Sequence, residues 1–407
     1  MANRTEVGPD LSAVFGPDPL TSAIRGKLQE LVGVLVEGEL EEALEVARYA
    51  RSEARAGYRH GTKPRTFHTS LGTIDGEVPR GRMLQANGST EEWQSELLPR
   101  YERRSKSLDA TLVSMYFAGT NLRRIKRTLR PLLSEAPLDK SVVSRLVSRL
   151  SGHVEAWKTR SLKDETYVYV YLDATNLKVR MFRKIRKLPV LVALGVRQDG
   201  QKEVLAMELL IKESAGAWGV VLQDLVARGL NRPLLAIVDG HAGLRSALEE
   251  IWPGIAVQRC TVHKLRNLQD YATADAYPAI KDDYHAIVEA KDLTEAKAAY
   301  KTFVQKWEKE FPKIVRSLEE AGEELLTFYR FPQEQWKSLK TTNPIERLNL
   351  EFKRRVKTQC SLPGEKSAIL LLYGLLLSGQ IRFRKINGWQ KIIEVLENRK
   401  EEKRKAS

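Results

Sequence analysis

TYVYVYLD, residues Thr166 to Asp173, is apolar on both faces of an extended chain, which predicts a strand buried at the centre of a sheet. The residues around it keep that character. LKVRMFRK (177–184), LPVLVALGV (188–196) and EVLAMELLI (203–211) follow at hairpin-like spacing. A helix is expected over 216–228, then a second buried strand, LLAIVDG (234–240), that stops at Asp239. A helix over 242–251 is halted by Trp252-Pro253-Gly254, and IAVQRC (255–260) reads as a short strand. From Thr261 to about Trp336 only helical patterns occur, and 341–380 is helical again. The order β-β-β-α-β-α-β followed by helices predicts a mixed-sheet α/β core. Trp218 and Trp252 read as core residues, and the tail after Asn387 as a short charged helix.

Upstream, residues 21–53 read as two amphipathic helices, with Leu28, Leu31, Val32 and Leu35 in one and Leu40, Ala43, Leu44 and Ala47 in the other. Two alternating runs, Thr66–Ser70 and Thr73–Val78, flank Leu71-Gly72 and suggest a β-hairpin. Residues 106–150 read as three helices. The first ends at Gly119, and Thr120 is placed to cap the second, NLRRIKRTLR (121–130). Pro137 and Leu138 precede the third, with Ser141 as its expected N-cap. Val143, Leu146, Val147 and Leu150 are expected to face inward there. Short helices, a glycine turn and a basic last helix fit a helix-turn-helix. The outward side chains are Arg123, Arg124, Lys126, Arg127 and Arg130 on the second helix, and Lys140, Arg145 and Arg149 on the third.

The chain has 407 residues, of which 42% are hydrophobic and 29% charged, which excludes a disordered or collagen-like protein. Two cysteines, Cys260 and Cys360, cannot form a disulfide framework. No apolar run reaches the ~18 residues of a membrane span, and no signal peptide is evident, so a cytoplasmic protein is expected. The net charge of +15 is clustered. Residues 1–50 hold four basic and nine acidic residues, 101–200 hold 21 and nine, and 351–407 hold 14 and six. Two basic blocks around a near-neutral centre point to a polyanion, most simply nucleic acid.

Three acids stand out by context. Asp173 and Asp239 each end a buried strand, where a carboxylate is costly unless it is paired or bound to metal. Each also has a structural reading, Asp173 as the start of an Asx turn and Asp239 as a helix cap. Glu346 lies in TTNPIERLNLEFKRRVK, where Asn343, Pro344 and Glu346 have the spacing of N-cap, N1 and N3 of a capping box. Ile345, Leu348, Phe352 and Val356 form that helix's apolar stripe, with Arg347, Lys353 and Arg354 beside the acid. A carboxylate among cations on a helix that packs on the sheet suits a metal site next to a phosphate backbone. Cys260-Thr261-Val262-His263 has zinc-like spacing, but no second Cys/His pair lies near it, so a four-ligand zinc site is not expected.

These motifs together resemble the bacterial insertion-sequence transposases of the Mutator type, over nearly the whole chain. The resemblance runs through RAGYRHGTKPRTFHTSLGTIDGEVPRGR, YVYVYLDATNLKVR, VALGVRQDGQKEVLAMELLIKESAGAW, IVDGH, the CTVH stretch and TTNPIERLNLEFKRRVKT. It implies a ribonuclease-H-like core interrupted by a helical insertion, with a DDE triad on Asp173, Asp239 and Glu346. The spacings of 66 and 107 residues fit an insertion before the last acid. It also implies that Cys260 and His263 sit near the catalytic strands, where they are read as supporting the site or positioning DNA; Asn343, as the expected N-cap of the Glu346 helix, is read as supporting the site as well.

The expected cofactor is Mg²⁺ or Mn²⁺, two ions, which suit hard carboxylate ligands and can clamp both exchanging oxygens of a phosphodiester. The expected partner is double-stranded DNA, and the resemblance implies that a homodimer binds the terminal inverted repeats and target DNA. The expected organisation is 1–56 helical; 57–105 hairpin and linker; 106–160 helix-turn-helix; 161–263 core; 264–335 helical insertion; 336–380 the rest of the core; and 381–407 a basic tail. Two alternatives remain at this level: a structure-selective nuclease of the same fold, and a helix-turn-helix regulator without catalysis.

Overall fold

Asp18 opens the first helix, α1 (Pro19–Leu44), its carboxylate accepting from the Thr21 amide at 3.0 Å, with Pro19 in the first turn. In this computed structural model, which describes residues 18–50, 52, 55–129, 133, 140–357, 362 and 364–406, α1 is one helix of 26 residues and not two. Nothing between Leu35 and Leu40 stops a helix. Gly38 only weakens it, and the buried positions Val36, Leu40 and Leu44 continue one stripe at i, i+4, i+8.

The chain divides into two compact units, Met1–Arg149 and Leu150–Ser407. In the first, α1 packs on a three-stranded sheet of β1 (Gly57–Thr69), β2 (Gly72–Leu84) and β3 (Thr90–Glu92). The hairpin turns between Thr69 and Gly72 as read, with longer strands than the two alternating runs suggested. Helices α2 (Lys106–Phe117), α3 (Leu122–Thr128) and α4 (Lys140–Arg149) bury Leu108, Leu112, Ile125, Leu129, Leu133, Val142 and Leu146 together. Leu146 and Val147 are buried as expected, Leu150 is half-buried, and the side chain of Val143 lies outside the described residues. Asn121, and not Thr120, caps α3, accepting from the Arg124 amide at 3.0 Å. Ser141 lies inside α4, whose first residue is Lys140, and Arg130, Pro137 and Leu138 lie outside the described residues.

The second unit begins with α5 (Ser151–Lys158) and holds a five-stranded sheet. Its strands are β4 (Tyr167–Met181), β5 (Lys184–Arg197), β6 (Lys202–Leu209), β7 (Leu235–Val238) and β8 (Ala256–Arg259), in the order β6-β5-β4-β7-β8. Only β5 runs antiparallel to the rest. The runs 166–173 and 177–184 are therefore mainly one strand. Asp173 does not end it. Asp173-Ala174-Thr175-Asn176 stays extended because each residue pairs across to β5, from Val192 to Pro189.

Alternation decides the faces. Val170, Leu172, Ala236 and Val238 pack with Trp218 and Leu222 of α6 (Ala215–Ala227) and Leu244 and Leu248 of α7 (Ala242–Ile251). Trp252 joins this core, as read. Tyr169 and Tyr171 point to the other face. The later helices are α8 (Thr261–Gln269), α9 (Tyr277–Val288), α10 (Leu293–Trp307), α11 (Pro312–Ala321), α12 (Gln333–Leu339), α13 (Asn343–Lys357), α14 (Glu365–Leu377) and α15 (Ile392–Ala406). Three of them, α12, α13 and α14, pack on β4 against that face. The Tyr169 hydroxyl donates to Gln335 Oε1 and that of Tyr171 to the Ser338 carbonyl, both at 2.8 Å. These bonds seat α12 on β4. Among the described residues, no helix is long and apolar enough to cross a membrane.

Candidate active site

Strand parity and register bring the two aspartates together. Asp173 lies on the face of Tyr169 and Tyr171, and Leu172 pairs in parallel with Val238. The next residues along, Asp173 and Asp239, therefore sit on adjacent strands on the same face, one strand spacing of about 5 Å apart. Val238 pairs in turn with Arg259, and the Cys260 amide donates to the Val238 carbonyl at 2.8 Å. Asp173, Asp239 and Cys260 thus line up where β7 and β8 end, the crevice in which α/β sheets bind ligands.

The turn after Asp239 depends on Gly240, whose φ is +102° and whose missing Cβ would collide with the Arg259 guanidinium. Arg259 is almost fully buried and forms a bidentate pair with Glu320 at 2.9 and 3.0 Å, which Lys264 joins at 2.9 Å. The Asp239 carboxylate accepts from the His241 amide at 2.9 Å, a turn contact and not the expected helix cap, since His241 is the N-cap residue of α7 and no side chain caps that helix.

Helix α13 supplies the third acid. The Thr342 carbonyl accepts from the Glu346 amide at 3.0 Å, so Thr342, and not Asn343, is the N-cap residue; Asn343 is exposed. Glu346 then falls outside the capping-box position. Its Oε1 lies 3.3 Å from Thr342 Oγ1 and 3.5 Å from His263 Nε2, and its Oε2 lies 3.9 Å from Arg266. Three residues on, Asn349 is buried and donates from Nδ2 to Asp173 Oδ2 at 2.8 Å. One helix face therefore carries Glu346 and holds Asp173 as well.

Thr342 is the hub beneath the acids. Its hydroxyl lies 3.2 Å from Cys260 Sγ and 3.3 Å from His263 Nδ1, and its amide donates to Cys260 Sγ at 3.3 Å. Ligand atoms of Cys260, His263 and Glu346 fall within 4.8 Å of one another. The threonine hydroxyl occupies the middle of that group, so hydrogen bonds already join the three. The Cys260 hydrogen bond raises His263 to about 9 despite its burial. Burial would raise the Cys260 thiol, but bonds from His263 and Thr342 outweigh it and leave it lowered. A cationic imidazole thus faces the acid cluster.

Burial, then the Asp239 charge, pushes the Asp173 carboxyl up to about 7, with Glu346 adding and His263 opposing. Among the described residues, neither aspartate has an ion-pair partner. A raised carboxyl pKa favours the folded state below the unfolded value near 4 and is lost as pH climbs to 7. The metal-free protein is therefore expected to melt lower at pH 8 than at pH 5 in this part of its profile. Asp173→Asn should remove that slope and raise the pH 8 midpoint, by at most about 4 kcal/mol of stability. Thermal melts in EDTA at both pH values check this.

The other expected residues fall into two groups. Arg123, Arg124, Lys126 and Arg127 on α3, and Arg145 and Arg149 on α4, are exposed; the Lys140 side chain lies outside the described residues. Arg347, Lys353 and Arg354 are exposed on α13, where Arg354 pairs with Glu351 at 2.9 Å. Sequence reading missed Thr342, Asn349 and Arg259. Asn349 was detectable as a polar residue within the apolar stripe of α13, and Arg259 as a cation inside a buried strand.

Residues 6–385 match the family described as Transposase, Mutator family. The chain is 34% identical over 384 residues to the transposase for insertion sequence element ISRM5 of Rhizobium meliloti (strain 1021), covering 94% of this chain and 93% of that protein. It is 32% identical over 384 residues to the IS406 transposase of Burkholderia multivorans, covering 92% and 95%. It is 31% identical over 371 residues to the IS1081 transposase of Mycobacterium tuberculosis, covering 91% and 86%. With motif order, sheet and family match in agreement, the chain belongs to the Mutator family of transposases.

Proposed function

We propose that the protein is a DDE transposase that cuts the ends of an insertion sequence and joins them to target DNA. The observation that carries this reading is the convergence of Asp173 from the middle of β4, Asp239 from the end of the adjacent β7 and Glu346 from one covering helix. The sheet order and the later helices support a ribonuclease-H-like core with a helical insertion between β8 and α13.

Divalent Mg²⁺ or Mn²⁺ fits this donor set. The ligands are hard oxygens, and the buried Asp173 carboxyl beside two other acids has no ion-pair partner among the described residues, His263 only partly offsetting the crowding. Asp173, Asp239 and Glu346 would hold the ions. Two are expected, and when bound they supply Lewis-acid activation of the attacking and leaving oxygens of one phosphodiester. The surrounding residues fix the ligands. Asn349 orients Asp173, Gly240 and Arg259 shape the turn at Asp239, and Thr342 with His263 positions Glu346. Such supporting contacts around a metal ligand are worth about 10–100-fold in affinity or activity.

In the first unit we read α2–α4 as a helix-turn-helix with α4 as the DNA-reading helix. A groove lined by Lys63, Arg103 and Arg145 offers further cations to phosphate, while Arg80 there is paired with Glu92 and Arg65 bonds the Leu98 and Pro99 carbonyls. The reading includes a homodimer on the terminal inverted repeats, acting in the bacterial cytoplasm. Changing Arg145 and Arg149 together to alanine should weaken binding to the element's ends more than binding to unrelated DNA. Equal loss on both, measured by titration at fixed salt, would move the reading surface to the hairpin groove.

The decisive experiment uses the full chain and a duplex carrying the terminal repeats that flank its gene. Cleavage releasing a 3′-OH with Mg²⁺, and none in EDTA, is expected. No cleavage with either metal overturns the transposase reading, and full activity in EDTA overturns the metal site.

A further inference from the structure

Beyond Asp173, β4 and β5 run on as a two-stranded ribbon that reaches the turn at Phe182-Arg183. We propose that this ribbon, residues 176–187, is a DNA-gripping arm whose tip presses Phe182 against the bases of duplex DNA. The proposal rests on the transposase reading above and adds a contact surface outside the helix-turn-helix and the hairpin groove assigned to DNA there.

Three features of the ribbon are unfavourable for an isolated arm. The tip is a two-residue turn in which Phe182 and Arg183 both have positive φ, +46° and +64°. Such hairpin turns are normally built from Asn-Gly or Gly-Gly, since side chains strain there. Phe182 is also 86% exposed, with Ile185 54% exposed beside it. Lys178 pairs directly across from Lys187, and like charges in that register weaken strand pairing. All three are accounted for by a ligand that is polyanionic and offers flat apolar surfaces.

Charge and shape favour duplex DNA. Lys178, Arg180, Arg183, Lys184, Arg186 and Lys187 are all exposed, and no acid occurs between Asp173 and Asp199. The next cation, Arg197, pairs with Glu165 at 2.8 Å, whereas none of the six has a carboxylate partner among the described residues. The arm is braced for a load: Leu362 bonds both to the Lys178 carbonyl at 2.9 Å and from the Arg180 amide at 2.8 Å. A two-stranded ribbon fits the major groove of B-DNA. Phe182 is nine residues from Asp173, about 30 Å of strand, or about nine base pairs of duplex. A duplex with its scissile phosphate at the acids and its axis along β4 therefore passes under the tip.

The test uses the full-length chain and a duplex of arbitrary sequence, read by fluorescence anisotropy across a salt series. Replacing Phe182-Arg183 by Asn-Gly relaxes the turn and removes the ring. The variant should melt at or above wild type and bind the duplex about tenfold more weakly. Lys178→Gln, Arg180→Gln and Lys187→Gln together should lower the slope of log affinity against log salt by about 2.7, at about 0.9 per phosphate contact. Wild-type affinity and slope in both variants would overturn the arm. So would variants that change the oligomer size but not duplex affinity, because the arm would then hold a second copy. The transposase reading fails separately: wild type would show no metal-dependent cleavage, while arm-dependent duplex binding would still register.

Discussion

Asp173→Asn, Asp239→Asn and Glu346→Gln should each reduce cleavage and strand transfer by a factor on the order of 10³ or more, at least about 4 kcal/mol of barrier. DNA binding should persist, and none should unfold the protein. Each change keeps the side chain's shape and removes one negative charge from a crowded cluster, so melting in EDTA should stay within a few degrees of wild type or rise. Asp173→Asn should rise most, since it is the buried member. Asn349→Leu separates a positioning role from a packing one. The change removes an Oδ1 that is buried without a hydrogen-bond partner but also strips the buried Asp173 carboxyl of its donor, so the two effects oppose and stability should change by no more than about 1–3 kcal/mol. Activity should nevertheless fall about 10–100-fold, with a weaker response to Mg²⁺ concentration. Near-normal cleavage by Glu346→Gln would require another third acid. Glu351, the nearest on the helix, is held by Arg354 and Arg355, and Glu324 by Arg245, so either would first have to be released.

Glu320→Ala should be the most destabilising single change near the site. Arg259 and Lys264 both have side chains about 3% exposed, and both point at this carboxylate. Removing it leaves two buried cations without their main partner. Breaking such a pair costs about 3–5 kcal/mol. The lower end applies here, because Glu320 is itself half exposed and Glu324 remains 3.8 Å from Arg259. A loss of ~3 kcal/mol should drop the midpoint of this unit by about 6–12 °C. Burial raises the Glu320 carboxyl, but the bonds from Arg259 and Lys264 prevail and hold it at about 2. A depressed carboxyl stabilises above its unfolded pKa near 4.3, and the contribution is lost as pH falls towards 2. Wild type should therefore lose stability over that window and Glu320→Gln should lose less, as acid titrations of the melting midpoint would show. Cleavage should fall with stability, because Arg259 backs the Gly240 turn that carries Asp239.

What could be read from sequence was local. Two-sided apolar runs marked β4, β5 and β7, a 3.6-residue stripe marked α13, and unusual acids in those contexts marked Asp173, Asp239 and Glu346. The expected helix over 242–251 agrees with α7. Errors arose where local rules compete. Asp173-Ala174-Thr175-Asn176 has turn-forming composition, yet it is held extended by β5 lying alongside. Asn343 is a good capping residue, yet the cap is Thr342, which the Cys260 thiol and His263 hold beneath the acid.

By itself the sequence determined the mixed α/β class, the positions of most core strands and helices and the basic blocks, and it singled out the three acids as candidates, because propensity and periodicity act over a few residues. Only the tertiary structure decided that β4 continues into an arm and that Asp173 and Asp239 are neighbours in register. It alone revealed that Asn349, 176 residues beyond Asp173, orients its carboxylate. Strand register and helix docking are set by contacts between segments far apart in the chain, and no local pattern specifies which distant partner satisfies a buried polar group.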